Sequence, residues 1–380
     1  TTTASANAAG PFTQAGTNTD LTSGGWSQSA NDIIRVKTAA SGTNKLRVAH
    51  VVQISNVSTT GSAIVIRGVV TAIVNSTQFE IRLIEAVSNA LNTTANNSLE
   101  ILVIGSSYAE GSVDISRGLY NLPVQLMNYC QIFRTPFTIT GTALKTSADF
   151  DETGVYKDMA KENSVNNMIE IERGFLFGSR SIYTGGDTPQ RTMGGILWYL
   201  QQWESGTVYG NAAATADTDD TKRIITNSAG TLSEKQYDGY LERVFRVTNN
   251  QSNEKLVLCG SGFLSVINQL YKSKVCLETN LPFTDTYGMD VVRHRTPFGT
   301  IYYKSHPLFS LNATLRFNAL VLDVPNLKYR YLAGRDTNLL KNRQPNDADY
   351  RKDEWLTECG LELRFPESHM YLQNVRDYAP

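Results

Sequence analysis

The sequence is poor in the residue types that mark most enzymes and metalloproteins. Among 380 residues there are four cysteines and four histidines. Cys130, Cys259, Cys276 and Cys359 are widely spaced and form no CxxC pair, which excludes a disulfide scaffold and a structural zinc site. They read as free buried thiols of a chain folded in a reducing cytosol. His50, His294, His306 and His369 have no metal-type spacing with one another or with a carboxylate–cysteine group. No apolar run approaches the ~18 residues of a membrane helix. The opening TTTASANAAG lacks the basic-then-apolar pattern of a secretory signal. An excess of charge is missing too. Lys and Arg number 35 against 36 Asp and Glu, a net charge of −1, which argues against a dedicated nucleic-acid-reading face. No internal repeat or coiled-coil heptad is present.

What is there is unevenly spread. Residues 1–125 hold 14 of the 71 charged residues and 5 of the 36 aromatics, so two modules in different environments are expected. The first 30 residues are Thr, Ser, Asn, Ala and Gly and read as an extended arm whose only large anchors are Phe12 and Trp26. From Asp32 to Ile104 come short β-branched runs (IIRV, LRVAHVVQI, AIVIRGVV, FEIRLI, LEILVI) separated by SGTN, STTG and NTTANN. That spacing predicts a small antiparallel barrel or sandwich over 31–112.

The remainder alternates strands and helices. Residues 126–146 read as a long strand, with Pro136 placing part of it on an edge or bend. Asp149, Asp151 and Glu152 precede a helix expected over 149–178. Its apolar face would hold Val155, Met159, Val165, Met168, Ile169, Phe175 and Leu176, with Arg173 and Arg180 near its end and Gly178 as its stop. Further helices are expected at 232–248, behind the Thr231–Glu234 capping box, and at 262–273. The end, 355–375, reads as a long strand kinked at Pro366. The class is α+β.

Candidate chemistry is thin. Gly260-Ser-Gly262 between a strand and a helix imitates a dinucleotide fingerprint, but the third glycine and the βαβ series are missing. Ser261 with His294 or His306 could be drawn as a hydrolase pair, yet the G-x-S-x-G elbow is absent. Asp347, Asp349, Asp353 and Glu354, mixed with Arg351 and Lys352, read as a solvated or salt-bridging surface and not a calcium loop. No catalytic, cofactor-binding or metal-binding residues are expected. Long elements without an intrachain partner point instead to assembly with copies of the same chain.

The order of elements, with the strings NYCQIFRTPFTITGTA (128–143), IEIERGFLFGSRS (169–181), RTMGGIL (191–197), LVLCGSGFLSVINQL (256–270), YGMDVVRHRTPFGTIYYKSHPLF (287–309) and DADYRKDEWLTECGLELRFPESHMYLQNV (347–375), resembles the major capsid proteins of tailed bacteriophages. The resemblance covers about 121–380. It implies an α+β capsid fold and a structural protein, not an enzyme, whose copies form the pentamers and hexamers of an icosahedral virion head around double-stranded DNA. Assembly would take place in the host cytoplasm, with scaffolding, portal and cement proteins as further partners and with no membrane and no cofactor.

The same resemblance divides the chain. Residues 1–30 become an arm and the first extended-loop strand, 31–112 an inserted β domain, and 113–146 the returning loop strand. A peripheral domain with a spine helix follows at 147–194, an axial domain at 195–346, and a strand returning to the peripheral domain at 347–380. Arg134, Lys145, Phe12 and Trp26 are the candidate intersubunit contacts. Two other readings stand beside it: a β-rich virion surface or receptor-binding protein, and an α/β enzyme built on the Gly260 turn.

Overall fold

The β-branched runs of the first third become strands, and the helical periodicities of the remainder become helices. The structure is a computed structural model that describes residues 2–4, 12–14, 28–38, 42–59, 62–87, 99–112, 124–145, 154–206, 213, 221–246, 253–272, 283–284 and 290–379. The chain divides into two compact units, Thr1–Pro123 and Val124–Pro380.

The first unit is one antiparallel sheet. Its strands are β1 (Thr2–Ala4), β2 (Phe12–Gln14), β3 (Ile33–Lys37), β4 (His50–Thr59), β5 (Ser62–Asn75), β6 (Gln78–Leu83) and β7 (Leu99–Ser106), in the order β1-β7-β4-β5-β6-β3-β2. Alternation sets one face inward: Ile34, Val36, Val52, Ile54, Phe79, Ile81 and Leu83 are fully buried in one cluster. Register shifts interrupt the β4–β7, β4–β5 and β5–β6 pairs, the kind of irregularity that bends a sheet. All seven strands belong to one sheet and not to two. The expected boundary at 31 moves, because β1 and β2 come from the stretch read as an arm. Thr3 pairs with Glu100 and Thr13 with Arg35, so the two strands form the sheet's two edges. A sheet edge recruits backbone through its unpaired amides and carbonyls whatever the side chains, which is why a polar composition did not signal strands.

The second unit begins with β8 (Gln131–Thr140), α1 (Gly141–Lys145) and α2 (Val155–Phe177). The strand is shorter than the 126–146 expected, since 126–130 is not strand and Gly141–Lys145 turns into α1. Then come a small hairpin, β9 (Ser181–Tyr183) with β10 (Gln190–Thr192), α3 (Ile196–Glu204), β11 (Ile224–Thr226), β12 (Thr231–Ser233), α4 (Glu234–Arg246), β13 (Glu254–Cys259) and α5 (Ser261–Lys272). The remaining elements are β14 (Phe283–Thr284), β15 (Asp290–Arg295), β16 (Thr300–Ser305), α6 (Pro307–Leu311), β17 (Ala319–Leu322), β18 (Leu327–Tyr331), β19 (Asn338–Leu340), β20 (Tyr350–Leu363), β21 (Met370–Gln373) and β22 (Asp377–Ala379).

Two sheets organise them. A mixed seven-stranded sheet runs β11-β21-β17-β13-β16-β15-β14. Its central strands, β13, β16, β17 and β21, are buried on both faces and alternate between two cores. Val257, Cys259, Val321, Ile301 and Tyr303 meet α4 and α5, while Leu256, Leu320, Leu322, Tyr302 and Tyr371 meet α3 and Leu176 of α2. In the second sheet β20 is central, with β8 on one side and β18 and β19 on the other. Pro136 lies within β8, opposite Glu354, and β8 pairs only with β20 among the described residues, so proline does sit on an edge strand. The single strand expected over 355–375, kinked at Pro366, is instead two strands, for β20 stops at Leu363 ahead of the proline. Phe365 takes a left-handed φ of 50°, a short 3₁₀ turn follows, and β20 and β21 fall in different sheets.

The long helix differs from its expected form in four ways. It spans 23 residues, about 35 Å, and starts after Gly154, whose φ is 92°. Asp149, Asp151 and Glu152 lie outside the described residues, and no basic residue stands in its last turn. Gly178 is not a left-handed stop, for its φ is −57°. It is glycine because a Cβ there would lie 2.4 Å from the Gly174 carbonyl oxygen and 2.7 Å from that of Met193. The inward face also differs. Val165 and Met168 are 49% and 58% exposed, whereas Asn167 is fully buried.

Candidate functional site

The positions singled out for chemistry resolve into packing. Gly260 turns β13 into α5 against the 315–317 turn, where a Cβ would meet the Arg316 carbonyl oxygen at 2.3 Å, and one on Gly262 would meet the Phe317 ring at 2.7 Å. The glycines answer a close backbone approach. His306 has both ring nitrogens engaged: Nε2 with Glu172 Oε1 at 2.7 Å, and Nδ1 accepting from the Leu308 amide at 3.2 Å as the N-cap of α6. The His294 ring stacks on Tyr271 with centroids 3.8 Å apart. Among the described residues neither imidazole contacts Ser261, so the hydrolase pair does not form.

Cys259 and Cys359 are buried and free, and burial pushes their thiols up to about 12 and about 11. Such thiols stay protonated and inert. Cys130 is only half-buried, against expectation, and Cys276 lies outside the described residues. No cluster of three His, Cys, Asp or Glu suited to a metal occurs among the described residues.

The most structured polar surface belongs to the β8–β20 sheet, and strand parity builds it. Odd-numbered residues of both strands face α2. Phe133, Ile171, Met193 and Cys359 form one cluster there. Asn167 Nδ2 donates to Thr135 Oγ1, and Thr357 Oγ1 donates to Asn167 Oδ1, each at 3.1 Å. The Trp355 indole donates to the Ala160 carbonyl oxygen at 3.0 Å. Tyr156 donates to Asp353, which also accepts from Arg351 Nε at 3.0 Å and from the Asn342 amide at 2.7 Å. Burial, then the Asp353 carboxylate, raise the Tyr156 hydroxyl above its ordinary range.

Even-numbered residues face the other way. Glu354, Glu358 and Glu362 recur there at every fourth position of β20, each held by arginine. Arg134 Nη2 reaches Glu354 Oε2 at 2.5 Å and Arg343 Nη2 reaches Oε1 at 3.3 Å. Arg335 Nε meets Glu358 at 2.5 Å, while Arg330 and Arg364 meet Glu362 at 2.5 and 2.6 Å. The Glu362 carboxyl is held below its ordinary range, first by the Arg330 hydrogen bond. A groove of about 420 Å³ opens between Ile132, Arg134, Arg335, Leu340, Arg343 and Leu356.

Of the four expected contact residues, Arg134 lies in this groove, bonded within its own chain yet with a 60% exposed side chain. Lys145 is exposed at the end of α1. Phe12 is a backbone partner of Val36 in β2, and Trp26 lies outside the described residues. The glutamate ladder escaped sequence reading, although Glu354-x-x-x-Glu358-x-x-x-Glu362 stands in register within one strand pattern. Period two on β20 was the available signal.

A family model described as SU10 major capsid protein matches residues 7–376. The major capsid protein of Pseudomonas phage PaMx41 is 24% identical over 242 residues, covering 63% of this chain and 54% of that protein, so the match spans about half the length of the curated relative. Among solved structures, the cyanophage A-1(L) capsid asymmetric unit is similar over 88% of this chain and 91% of that one, at 13% identity and a TM-score of 0.42. The capsid of a native GTA particle is similar over 72% of this chain and 82% of that one, at 11% identity and a TM-score of 0.44.

Proposed function

The chain belongs to the SU10 major capsid protein family, and from that premise we propose that its copies close into pentameric and hexameric rings of an icosahedral head around double-stranded DNA. The observation that carries this is the family match over nearly the whole chain. The physics is compatible with it. A near-neutral chain, net −1, neither repels its own copies strongly nor grips a packaged polyanion. Modest contacts repeated around closed rings give a durable shell.

In this reading α2 is the spine of a peripheral domain completed by β8 and β20, and the mixed sheet with α4 and α5 forms the body of an axial domain, roughly 195–346. The Thr1–Pro123 sheet is carried on the extended loop, where neighbours meet it. Scaffolding, portal and cement proteins, and assembly in the host cytoplasm, belong to the same proposal. The test is electron microscopy and light scattering of the expressed full chain, alone and with a scaffold protein. Rings or shells are expected; monomers under both conditions overturn the proposal.

A further inference from the structure

The arginines around the glutamate ladder of β20 carry more charge than the ladder neutralises. Five arginines (134, 330, 335, 343, 364) bond three glutamates (354, 358, 362), so these eight side chains leave two positive charges in excess. The glutamates are the sheltered partners: side-chain exposure is 3%, 14% and 29% for Glu354, Glu358 and Glu362, against 43–60% for the arginines. Each guanidinium is therefore held from behind by a carboxylate while another edge faces solvent. Arg134 spends Nε and Nη2 on Glu354 Oε2, and a fork has further donors to give. The floor beside them is apolar: Ile132 is 51% exposed, next to Leu340 and Leu356.

We propose that this face is a socket for a carboxylate-bearing segment of a second copy of the chain, which docks apolar side chains on Ile132 and Leu340 and carboxylates on Arg134, Arg335 and Arg343. The proposal rests on the capsid reading and names one contact surface within it. Charge complementarity selects the occupant. The whole chain has a net charge of −1, so outside these eight residues it carries −3, and a second copy brings a net-acidic remainder to this face. A socket and plug at different places on one chain make a head-to-tail contact, the kind that closes rings. Steering between such patches favours the correct register over other encounters. A nucleic-acid backbone fits less well. Its phosphates would approach three carboxylates, and a duplex, wider than the groove, would not reach the apolar floor.

Two measurements on the full chain test this. In the first, R134Q/R343Q is compared with wild type for particle formation across protein concentration, with thermal unfolding as the control for folding. A tenfold or greater rise in the concentration needed for particles, with melting retained, is expected. Particles at the wild-type concentration overturn the socket and leave the capsid reading standing; no particles from wild type overturn both. If the double variant loses duplex-oligonucleotide binding but assembles normally, the face serves phosphates and the socket is wrong. In the second, particles of R134K are treated with a carbodiimide, which joins an amine to a carboxylate with loss of water. Peptide mapping is expected to find position 134 joined to an Asp or Glu of another copy. A link to Glu354 alone, within the chain, overturns the proposal even if the double variant fails to fold.

Discussion

Single buried polar residues make the sharpest demands on this chain. His369 is fully buried, and its Nδ1 accepts from the Asp323 amide at 3.1 Å. Burial, and then the nearby Lys255 ammonium, push its imidazole down to about 4. The unfolded chain would hold a proton there below about 6.5 while the folded chain does not. Its contribution is therefore complete above about pH 6.5 and is lost as pH falls toward 4, in total about 3 kcal/mol. Urea unfolding of wild type and His369→Asn at pH 7.5 and 4.5 checks this: the gap between them should shrink by that order at the lower pH. Asn167 is the second case. Asn167→Ala leaves the Thr135 and Thr357 hydroxyls without their amide partner behind α2. A loss of about 2–3 kcal/mol is expected in denaturant unfolding, and a change under 0.5 kcal/mol would show that the pair of bonds does not hold the helix down.

Elements meet where glycine lets backbones approach, and glycines of the same chain differ sharply in that respect. Gly178 ends α2 with carbonyl oxygens 2.4 and 2.7 Å from where a Cβ would stand, and neither belongs to a flexible side chain. Gly178→Ala should cost more than about 3 kcal/mol or prevent folding, because the spine and the Met193 segment must separate. Gly239, exposed in the middle of α4, has nothing within 4 Å of its Cβ position. Gly239→Ala should raise stability by about 0.5–1 kcal/mol through helix propensity and a less free unfolded chain. Thermal melts of the two variants beside wild type settle both signs. Edge strand β8 shows the same economy. Pro136 removes a ladder donor, which discourages another strand from adding at that edge and leaves side-chain contacts as the means of association.

At the scale of the whole molecule the two units have separate cores, among the described residues one in Thr1–Pro123 and three in Val124–Pro380. Excising 31–112 alone would strand β1 and β2 without their partners β7 and β3, so the natural cut lies at Pro123. A chain of residues 124–380 should keep the helical circular dichroism of α2, α4 and α5 and a cooperative melt. Loss of the helical signal would mean that the larger unit needs the smaller one to fold. Its capacity to form particles should fall if the smaller unit meets neighbouring copies as proposed.

Composition and periodicity by themselves determined a good deal: the β character of the first third, helices expected at 149–178, 232–248 and 262–273 and found at 155–177, 234–246 and 261–272, and a change of course near Pro366. These follow from local chemistry. β-branched alternation, a capping box, and proline's fixed φ act within a few residues and do not need a partner far along the chain. The recognisable strings from 128 onward carried the capsid resemblance. Tertiary structure alone decided the rest. That Asn167 and not Met168 turns inward depends on Thr135 and Thr357, 32 and 190 residues away. That β1 and β2 are strands depends on the sheet edges offered by β7 and β3. Glu354 and Asp353, read as part of a solvated or salt-bridging surface, do form salt bridges but are buried, because β8, α2 and the 334–343 segment bring Arg134, Tyr156 and Arg343 to them. A buried charge needs a partner, and a sequence carries charges without saying which of them meet.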